Sequence, residues 1–376
     1  MSGIDYRSHG GRTRELALAA GIAEEELLDF SANLNPAGPP AWLGEAVAEG
    51  ARRVGVYPDP DADLVRAAAA LRYALPADHF LFADGADTLI LALPRALGAL
   101  SCILPWPSYT GYARAALQAQ VPVIPVVLDP GRDFSLADPA FLGRLAELLA
   151  SCKPPALFIA GSPNNPAGGR PPLGAMRDLA RRFPSHCFAL DESFAELAGE
   201  NQGAIGSPEP NLLVIRSLTK TWAVPGARIG FACGQPGILA RLRAELGAWP
   251  LSCFAEAIAI RALADAEGVD RAAALVAREE AALVASLREL AGVTVYRSGA
   301  NFFLLRFSRR GGGDRAAAAL LREGIAIRTF KEDEGLDGSH ARIAVRSAPE
   351  NRRLLDALSR FLAGESSPAG PAGRQG

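Results

Sequence analysis

The chain has 376 residues, of which 49% are hydrophobic and 21% charged, and its formal net charge is −2. Such a balanced charge creates no field that attracts nucleic acid or an anionic membrane, so neither is expected as a partner. The length is enough for one large domain and a smaller one, each with its own core.

The cysteines and the N-terminal sequence indicate the cellular compartment. The five cysteines form no CxxC pair and have no zinc-ligand spacing with histidine, so no metal is predicted. Free cysteines fit a reducing environment. The opening MSGIDYRSHGGRTREL contains no apolar signal segment, and no run approaches the ~20 apolar residues that cross a bilayer. We therefore expect a cytoplasmic protein.

Short apolar runs alternate with amphipathic ones between about residues 40 and 235. The runs HFLFADG, SCILP, PVIPVVL, PALFIAG, CFALD and LLVIRS are predicted strands. ADTLILALPRALGAL is a predicted helix, and so is the segment after Asp138, a natural N-cap followed by Pro139. Strands that alternate with helices predict an α/β fold with a mainly parallel sheet.

After about residue 235 the pattern changes to long helices followed by alternating strands such as NFFLLRF and ARIAVRS. This pattern predicts a smaller α+β domain. We place the large domain at 41–265 and the small one at 266–363. Residues 1–40 are expected to join the small domain and a wall of the active site. Residues 364–376 are polar and rich in Gly and Pro, which predicts a disordered tail.

Polar side chains follow three of the predicted strands. Asn164 and Asn165 come after PALFIAG, Asp191 and Glu192 end CFALD, and Lys220 follows LLVIRS. Because ligands bind beyond the carboxyl ends of parallel strands, we expect these groups to converge on one crevice.

A lysine, a carboxylate and an amide together match one cofactor. A lysine amine forms a Schiff base with a carbonyl, and pyridoxal phosphate needs such a lysine and a carboxylate at its ring nitrogen. An amide can hold the ring hydroxyl. Gly85, Ala86 and Asp87 begin a predicted helix, whose N-terminus is suited to a phosphate. The sequence therefore predicts a pyridoxal-phosphate enzyme.

Three motifs, in order, resemble one known family. SPNNPAG is similar to the Asn-Pro-x-Gly segment of fold-type I pyridoxal-phosphate enzymes of the class I/II aminotransferase superfamily. LDESF resembles its Asp-bearing strand end, and SLTKTWAVPGARIGF resembles its lysine signature. The resemblance covers about residues 25–362. It implies a large domain with a mainly parallel seven-stranded sheet sandwiched by helices, plus a smaller α+β domain.

The resemblance also implies roles, residue by residue. Lys220 is expected to form the Schiff base and shuttle protons, Asp191 to pair with the pyridine nitrogen, and Asn165 to bind the ring hydroxyl. Tyr109 is expected to stack on the ring. Arg342 is expected to clamp the substrate α-carboxylate, for which a bidentate guanidinium is well suited. The expected contacts of the cofactor phosphate are the turn at Gly85, with Ala86, Asp87, Ser217, Thr219 and Arg228.

Two further positions bear on assembly and on the ring. Tyr57, in VYPDP, matches a position that in relatives reaches the phosphate of the neighbouring subunit's cofactor, which implies a homodimer with shared active sites. The strand-end motif of the family often reads Asp-x-x-Tyr, but Phe194 occupies the last position here. The ring hydroxyl then loses one donor, so Phe194 is given no polar role.

Two subgroups of the family compete for the reaction. Histidinol-phosphate aminotransferases share the VYPDP-like segment and the Gly-Ala-Asp turn. Threonine-phosphate decarboxylases of cobalamin biosynthesis resemble the chain further, in His9-Gly10-Gly11, in LLDFSANLNP and in RSAPEN. The resemblance therefore favours decarboxylation of L-threonine O-3-phosphate to (R)-1-amino-2-propanol O-2-phosphate. The alternatives are transamination, as of histidinol phosphate, and a protein that binds the cofactor without turnover.

The same resemblance gives candidates for substrate binding. Arg328 matches an arginine that contacts the substrate phosphate, and His9, Ser31 and Asn33 are expected on the wall of the cleft. Simpler interpretations stay open: Arg328 as an ion-pair residue, His9 as a terminal histidine, and the other two as loop residues. Arg346 is expected on the same face of its strand as Arg342, but a structural ion pair is the preferred interpretation for it.

Overall fold

The computed structural model describes residues 10–207 and 209–366. Its strands are β1 (Leu28–Asp29), β2 (Phe80–Ala83), β3 (Ser101–Trp106), β4 (Val123–Val127), β5 (Ala156–Gly161), β6 (Cys187–Asp191), β7 (Leu212–Ser217), β8 (Gly230–Cys233), β9 (Val293–Val295), β10 (Phe302–Phe307), β11 (Ile325–Ala326), β12 (Arg328–Thr329) and β13 (His340–Ala344). Its helices are α1 (Thr13–Ala20), α2 (Leu43–Arg52), α3 (Asp63–Tyr73), α4 (Ala86–Ala96), α5 (Thr110–Gln118), α6 (Pro139–Ser151), α7 (Leu173–Arg182), α8 (Leu218–Thr221), α9 (Pro236–Arg243), α10 (Cys253–Ala264), α11 (Ala266–Arg288), α12 (Gly312–Leu321) and α13 (Ala348–Ser366).

The large sheet has, within the described residues, seven strands in the order β2-β8-β7-β6-β5-β3-β4. β8 runs antiparallel to both of its neighbours, and the other neighbouring pairs are parallel. β5 and β7 are buried along their whole length, which explains the apolar sequence of β5 and of the first four residues of β7. The predicted α/β fold with a mainly parallel seven-stranded sheet is confirmed.

Helices cover both faces of this sheet. On one face α4, α5 and α9 bury side chains such as Leu89, Ala115 and Leu239. The opposite face is covered by α3, α6, α7 and α10, and Leu145 and Ile258 lie in its core. Successive residues from Leu212 to Ile215 in β7 therefore point alternately into two separate cores, and all four positions need apolar residues.

The smaller unit is built on an antiparallel sheet in the order β12-β13-β10-β9, which confirms the predicted α+β domain. The N-terminal segment joins this unit, because β1 pairs in parallel with β11, Leu28 opposite Ile325. Phe30 is buried in the core of the smaller unit with Leu283 and Phe303. The residue limits of the domains stay a prediction.

The chain end corrects one expectation. α13 continues to Ser366, so residues 364–366 are helical and do not belong to the predicted disordered tail. Glu365 forms ion pairs with Arg309 and Arg315, which hold the last helical turn against the start of α12. The rest of the predicted tail lies outside the described residues.

No helix in the described ranges combines the length and hydropathy needed to cross a membrane. Across the same ranges, no group of histidine, cysteine, aspartate and glutamate is arranged to hold a metal ion. The five cysteines are free thiols.

Candidate active site

Neighbouring strands of the large sheet bring the predicted polar residues together. β5, β6 and β7 lie side by side, and the segments that follow their carboxyl ends carry Asn165, Asp191 and Lys220. All three side chains line a cavity of about 250 Å³. Asn164 is directed elsewhere, since its amide donates to the carbonyl of Pro107. The cavity is also lined by Ala86, Asp87, Tyr109, Ser217, Thr219 and Arg228.

One end of this cavity is suited to a phosphate. Gly85 precedes α4 with a φ of +107°, and the first two residues of the helix, Ala86 and Asp87, line the cavity, so this end of the cavity lies at a helix N-terminus, which is suited to an anion. The positive φ favours glycine at this position, and a Cβ atom there would also lie 2.5 Å from Nη2 of Arg228, which would have to move. The hydroxyls of Ser217 and Thr219 are hydrogen-bonded to each other at 2.7 Å on the same wall.

Asp191 is buried and held by two neighbours. Its Oδ1 accepts from the backbone N–H and hydroxyl of Ser193, at 3.0 and 2.5 Å, and its Oδ2 accepts from the hydroxyl of Tyr112 at 2.8 Å. Burial raises the pKa of the Asp191 carboxyl, and these hydrogen bonds oppose the rise. The arrangement fixes the carboxylate in one orientation toward the cavity.

Sequence analysis missed Tyr112 and Ser193. Ser193 stands two residues after Asp191, a spacing at which a carboxylate accepts the backbone N–H of a turn. Tyr112 stands three residues after Tyr109 on the same face of α5. The spacing of Tyr112 from Tyr109 does not by itself predict a contact with Asp191, because that contact depends on how α5 packs near the end of β6.

Removing the Tyr112 hydroxyl has a defined expected result. Tyr112→Phe should weaken cofactor binding and lower kcat by about three- to tenfold, as expected for one lost hydrogen bond. Because Asp191 loses a donor that stabilises its charged form, the acid limb of the pH–rate profile should move to higher pH. Equilibrium dialysis and a pH–rate profile measure both effects. Tyr296→Phe, at a tyrosine of the smaller unit, is the control, and an unchanged acid limb in Tyr112→Phe would contradict the assignment.

Lys220 is partly buried between two cations. Burial and the guanidinium groups of Arg342 and Arg228 lower the pKa of its amine to about 8, although Asp191 and Asp87 oppose the shift. A lowered pKa favours the neutral amine, which is the nucleophilic form.

This pKa predicts how cofactor-free protein takes up an aldehyde. The neutral fraction of the amine grows as pH rises, so the rate of pyridoxal phosphate capture should rise with pH and level off above about 8. Arg342→Gln should move the midpoint upward, because one nearby cation is lost. Rapid-mixing absorbance measurements follow the reaction. A midpoint near the ordinary lysine value in the unmodified protein would refute the interpretation.

Arg342 links the amide of Asn165 to the N-terminal segment. Its Nη1 donates to Oδ1 of Asn165 at 2.5 Å, and its Nη2 donates to the carbonyl of Ser31 at 2.6 Å. Within the described residues its buried Nε has no hydrogen-bond partner. Burial and the nearby charge of Arg328 lower the pKa of Arg342 to about 9. Because Arg342 uses the oxygen of the Asn165 amide, its NH₂ group is the part that can donate to a bound ligand.

A second cavity, of about 390 Å³, adjoins the first and shares Tyr109, Asn165 and Lys220 with it. The expected substrate residues Ser31, Asn33, Arg328 and Arg342 line this second cavity. Arg328 forms an ion pair with Glu334, which also lines it. Oδ1 of Asn33 is buried without a partner in the described part of the chain.

The remaining candidates have no polar contact with the two cavities in their own chain or fall outside the described residues, and Phe194 lines both cavities with its apolar ring. Tyr57 is 76% exposed and stacks on Trp249 at 4.3 Å, so it does not line a cavity of its own chain. His9 falls outside the described residues, although Gly10 and Gly11 line the second cavity. Phe194 packs edge-on against Phe302. Arg346 pairs with Glu350 at 2.6 Å, as the structural interpretation expects.

The donors around the first cavity fit pyridoxal phosphate group by group. Backbone amides, two hydroxyls and a guanidinium surround the wall that glycine leaves open, as a phosphate requires. The buried carboxylate of Asp191 and the amide of Asn165 lie at the ends of neighbouring strands, and Lys220 adds an amine of lowered pKa. This donor set matches a phosphate, a ring nitrogen, a ring hydroxyl and an aldehyde.

Comparison with known proteins gives relatives of the whole chain. Residues 25–358 match the family Aminotransferase class I and II. A threonine-phosphate decarboxylase from Salmonella typhimurium is 32% identical over 95% of this chain and 97% of its own. A histidinol-phosphate aminotransferase from Pseudomonas aeruginosa is 29% identical over 88% of this chain and 92% of its own. A bifunctional adenosylcobalamin biosynthesis protein from Leptospira interrogans is 30% identical over 96% of this chain, which spans 42% of that protein.

A solved structure agrees with the fold. The histidinol-phosphate aminotransferase from Sinorhizobium meliloti, in complex with pyridoxal-5'-phosphate, superposes with a TM-score of 0.83 at 20% identity, covering 97% of this chain and 100% of that one. The family match and the full-length relatives then identify the protein: the chain belongs to the class I and II aminotransferase family of pyridoxal-phosphate enzymes.

Proposed function

We propose that the protein decarboxylates L-threonine O-3-phosphate to (R)-1-amino-2-propanol O-2-phosphate, the reaction that serves cobalamin biosynthesis. We also propose that it acts in the cytoplasm as a homodimer, in which the exposed Tyr57 reaches the cofactor phosphate of the other subunit. The full-length similarity to a threonine-phosphate decarboxylase supports this choice. Histidinol-phosphate aminotransferases of comparable identity make transamination the alternative.

The observation that carries the proposal is the packing of the N-terminal glycines on the substrate cavity. A Cβ atom at Gly10 would lie 2.1 Å from the carbonyl oxygen of Ser31, the same oxygen that accepts from Arg342. Gly11, with a φ of +82°, donates its N–H to Oγ of Ser31 at 2.9 Å. Gly10 and Gly11, the two glycines of the segment that resembles the decarboxylases, thus pack on the residue whose carbonyl accepts from the arginine of the substrate site.

We assign the cofactor contacts as follows. Pyridoxal phosphate, when bound, supplies an electron sink for whichever bond at the substrate α-carbon stands perpendicular to its ring. Asp191 would hold the ring nitrogen in its protonated form, and the amide NH₂ of Asn165 would donate to the ring hydroxyl. Lys220 would hold the aldehyde carbon until the substrate amine displaces it. Tyr109 would cover the ring, and the phosphate would be bound by Ala86, Asp87, Ser217, Thr219 and Arg228.

The substrate is a dianionic amino acid, and the second cavity offers two guanidinium groups to it. Arg342 would orient the α-carboxylate and Arg328 would hold the phosphate, with Ser31 and Asn33 on the adjoining wall. When the Cα–carboxylate bond breaks, carbon dioxide leaves and the α-carbon must receive one proton. We assign that proton transfer to Lys220, whose pKa of about 8 suits both acceptance and donation near neutral pH. His9 is a further candidate phosphate contact.

Gly10→Ala tests the contribution of the N-terminal segment. The new methyl group would displace the Ser31 carbonyl and with it Arg342, so KM should rise by about tenfold or more while the visible cofactor band is unchanged. Gly44→Ala, in α2, is the matched control, because nothing lies within 4 Å of a Cβ atom there. Steady-state kinetics separate KM from kcat. Equal KM values for the two variants would remove the N-terminal segment from the substrate site.

The reaction itself is tested with two substrates side by side. Protein loaded with pyridoxal phosphate is given L-threonine O-3-phosphate alone, or histidinol phosphate with 2-oxoglutarate. The proposal predicts carbon dioxide from the first mixture and no glutamate from the second. Glutamate without carbon dioxide would establish the aminotransferase, and inactivity in both mixtures despite bound cofactor would support a protein without turnover.

A further inference from the structure

A buried cluster of charged side chains lies behind the active site. Arg216 is 2% exposed, and it contacts Glu192 and Glu196, which are 3% and 5% exposed. None of the three lines either cavity. Two of them adjoin residues that do, since Glu192 comes directly after Asp191 and Arg216 directly before Ser217.

Arg216 is satisfied by groups from the segment after β6. Its Nε and Nη2 donate to Oε2 of Glu192 at 3.1 and 2.8 Å. Nη1 and Nη2 also donate to the carbonyls of Asn201 and Glu200, at 2.8 and 3.2 Å. The other carboxylate oxygen of Glu192 accepts the backbone N–H of Ala204 at 2.7 Å. A rigid guanidinium therefore fixes the chain that leaves the Asp191 strand.

Glu196 extends the cluster to the turn of the catalytic lysine. Its Oε2 accepts from the hydroxyl of Thr221 at 2.8 Å, and Thr221 is the residue after Lys220. Its Oε1 accepts from the hydroxyl of Tyr73 at 3.2 Å and lies 3.6 Å from Nη1 of Arg216. One carboxylate thus joins the guanidinium to α8.

Burying this cluster costs desolvation free energy that reduces any gain in the stability of the fold. One cation lies between two carboxylates, and burial raises the pKa of Glu192 in spite of the Arg216 charge. Buried ion pairs of this kind are often no more stabilising than apolar residues of the same volume. What they provide is directional contacts with fixed geometry. A role in positioning therefore explains the cluster better than a role in stability.

We propose that Arg216 is a positioning residue which, through Glu192 and Glu196, sets the lysine-bearing turn α8 at a fixed distance from the Asp191 end of β6. The connected path runs from Asp191 to Glu192, Arg216, Glu196, Thr221 and Lys220. The inference rests on the cofactor roles proposed above for Asp191 and Lys220, but it does not depend on the identity of the substrate.

Two matched substitutions, each of a hydroxyl that donates to the Glu196 carboxylate, test the path. Thr221→Val and Tyr73→Phe each remove one hydroxyl donor from Glu196, but only Thr221 leads to Lys220. The readouts are the pH midpoint of the visible absorption band of the holoprotein without substrate, the melting temperature, and kcat and KM.

Thr221→Val is expected to shift the pH midpoint by about half a unit or more and to lower kcat about tenfold, with KM nearly unchanged. Tyr73→Phe should lower the melting temperature to a similar extent and leave the midpoint in place. Equal midpoints in both variants and the unmodified protein would overturn the proposal, and so would equal shifts in both variants.

A third variant addresses Arg216 itself. Arg216→Lys retains the charge but cannot bind Glu192 and the two carbonyls together, so it should shift the midpoint as Thr221→Val does. An unshifted midpoint in a folded Arg216→Lys protein would also contradict the inference. If the unmodified protein formed no visible band with pyridoxal phosphate, the cofactor assignment itself would fail. That result is distinct from an unshifted midpoint, which would contradict only the positioning role of Arg216.

Discussion

Lys220→Ala is expected to lose turnover by on the order of 10³- to 10⁴-fold, the largest effect of any single substitution in this protein. Among the described residues, Lys220 is the lysine that lines both cavities. Its removal takes away both the amine that holds the aldehyde and the proton donor we propose. Folding should not suffer, because the substitution removes a buried cation that lies near Arg342 and Arg228.

Trapping with borohydride measures the loss directly. In the unmodified protein, reduction should attach the cofactor irreversibly to the peptide that contains Lys220. Lys153→Ala, at an exposed lysine, is the control and should be trapped like the unmodified protein. Lys220→Arg should fail as Lys220→Ala does, because a guanidinium stays protonated. A visible cofactor band of normal strength in Lys220→Ala would disprove the lysine assignment.

Asp191→Asn should lower kcat by on the order of 10²- to 10³-fold, the second largest effect. The amide oxygen can still accept from Ser193, and the amide NH₂ can donate to the Tyr112 hydroxyl, so the shape of the site is retained. The negative charge is lost, and with it the group that would keep the ring nitrogen protonated. The expected deficit is therefore electrostatic and should appear in kcat more than in KM.

The control for this substitution is a carboxylate that follows β2, another strand of the same sheet, and does not line the cavities. Asp84→Asn changes an exposed aspartate next to Gly85 and should leave kcat within about twofold. Spectra of the ring nitrogen in labelled cofactor report its protonation. A fully protonated ring nitrogen in Asp191→Asn, together with normal kcat, would rule out the proposed pairing.

The sequence predicts those parts of the site that lie beside strand ends. Asp191 and Lys220 each follow an apolar run, and parallel strands bring their ends to the same edge of a sheet. The sequence also predicts the glycine turn before α4, because an apolar strand, a Gly and the start of a helix follow one another there. These signals are local, and the topology of the sheet converts them into proximity.

The supporting contacts could not be predicted in the same way. Tyr112 reaches Asp191 across 79 positions of sequence, and Arg216 reaches Glu196 within a buried space that an arginine seldom enters. Arg216 in LLVIRS gave no sign that it is almost completely buried. Such contacts depend on how helices lie over the sheet, and a single sequence contains no direct record of that packing.

The N-terminal glycines are an intermediate case. The resemblance of His9-Gly10-Gly11 to the decarboxylases pointed to this segment, but not to a reason for two glycines. The close approach of Gly10 to the Ser31 carbonyl supplies the reason, and the hydrogen bond from Arg342 to that carbonyl connects it with the substrate cavity.

The central claim, decarboxylation, is tested most directly with carboxyl-labelled L-threonine O-3-phosphate in heavy water. The account predicts one labelled carbon dioxide for each molecule of 1-amino-2-propanol O-2-phosphate, with one deuteron added at the aminated carbon. It predicts no 2-oxo acid and no requirement for an amino acceptor. Retention of the label in a 2-oxo product, with the amino group transferred to the cofactor, would contradict the account.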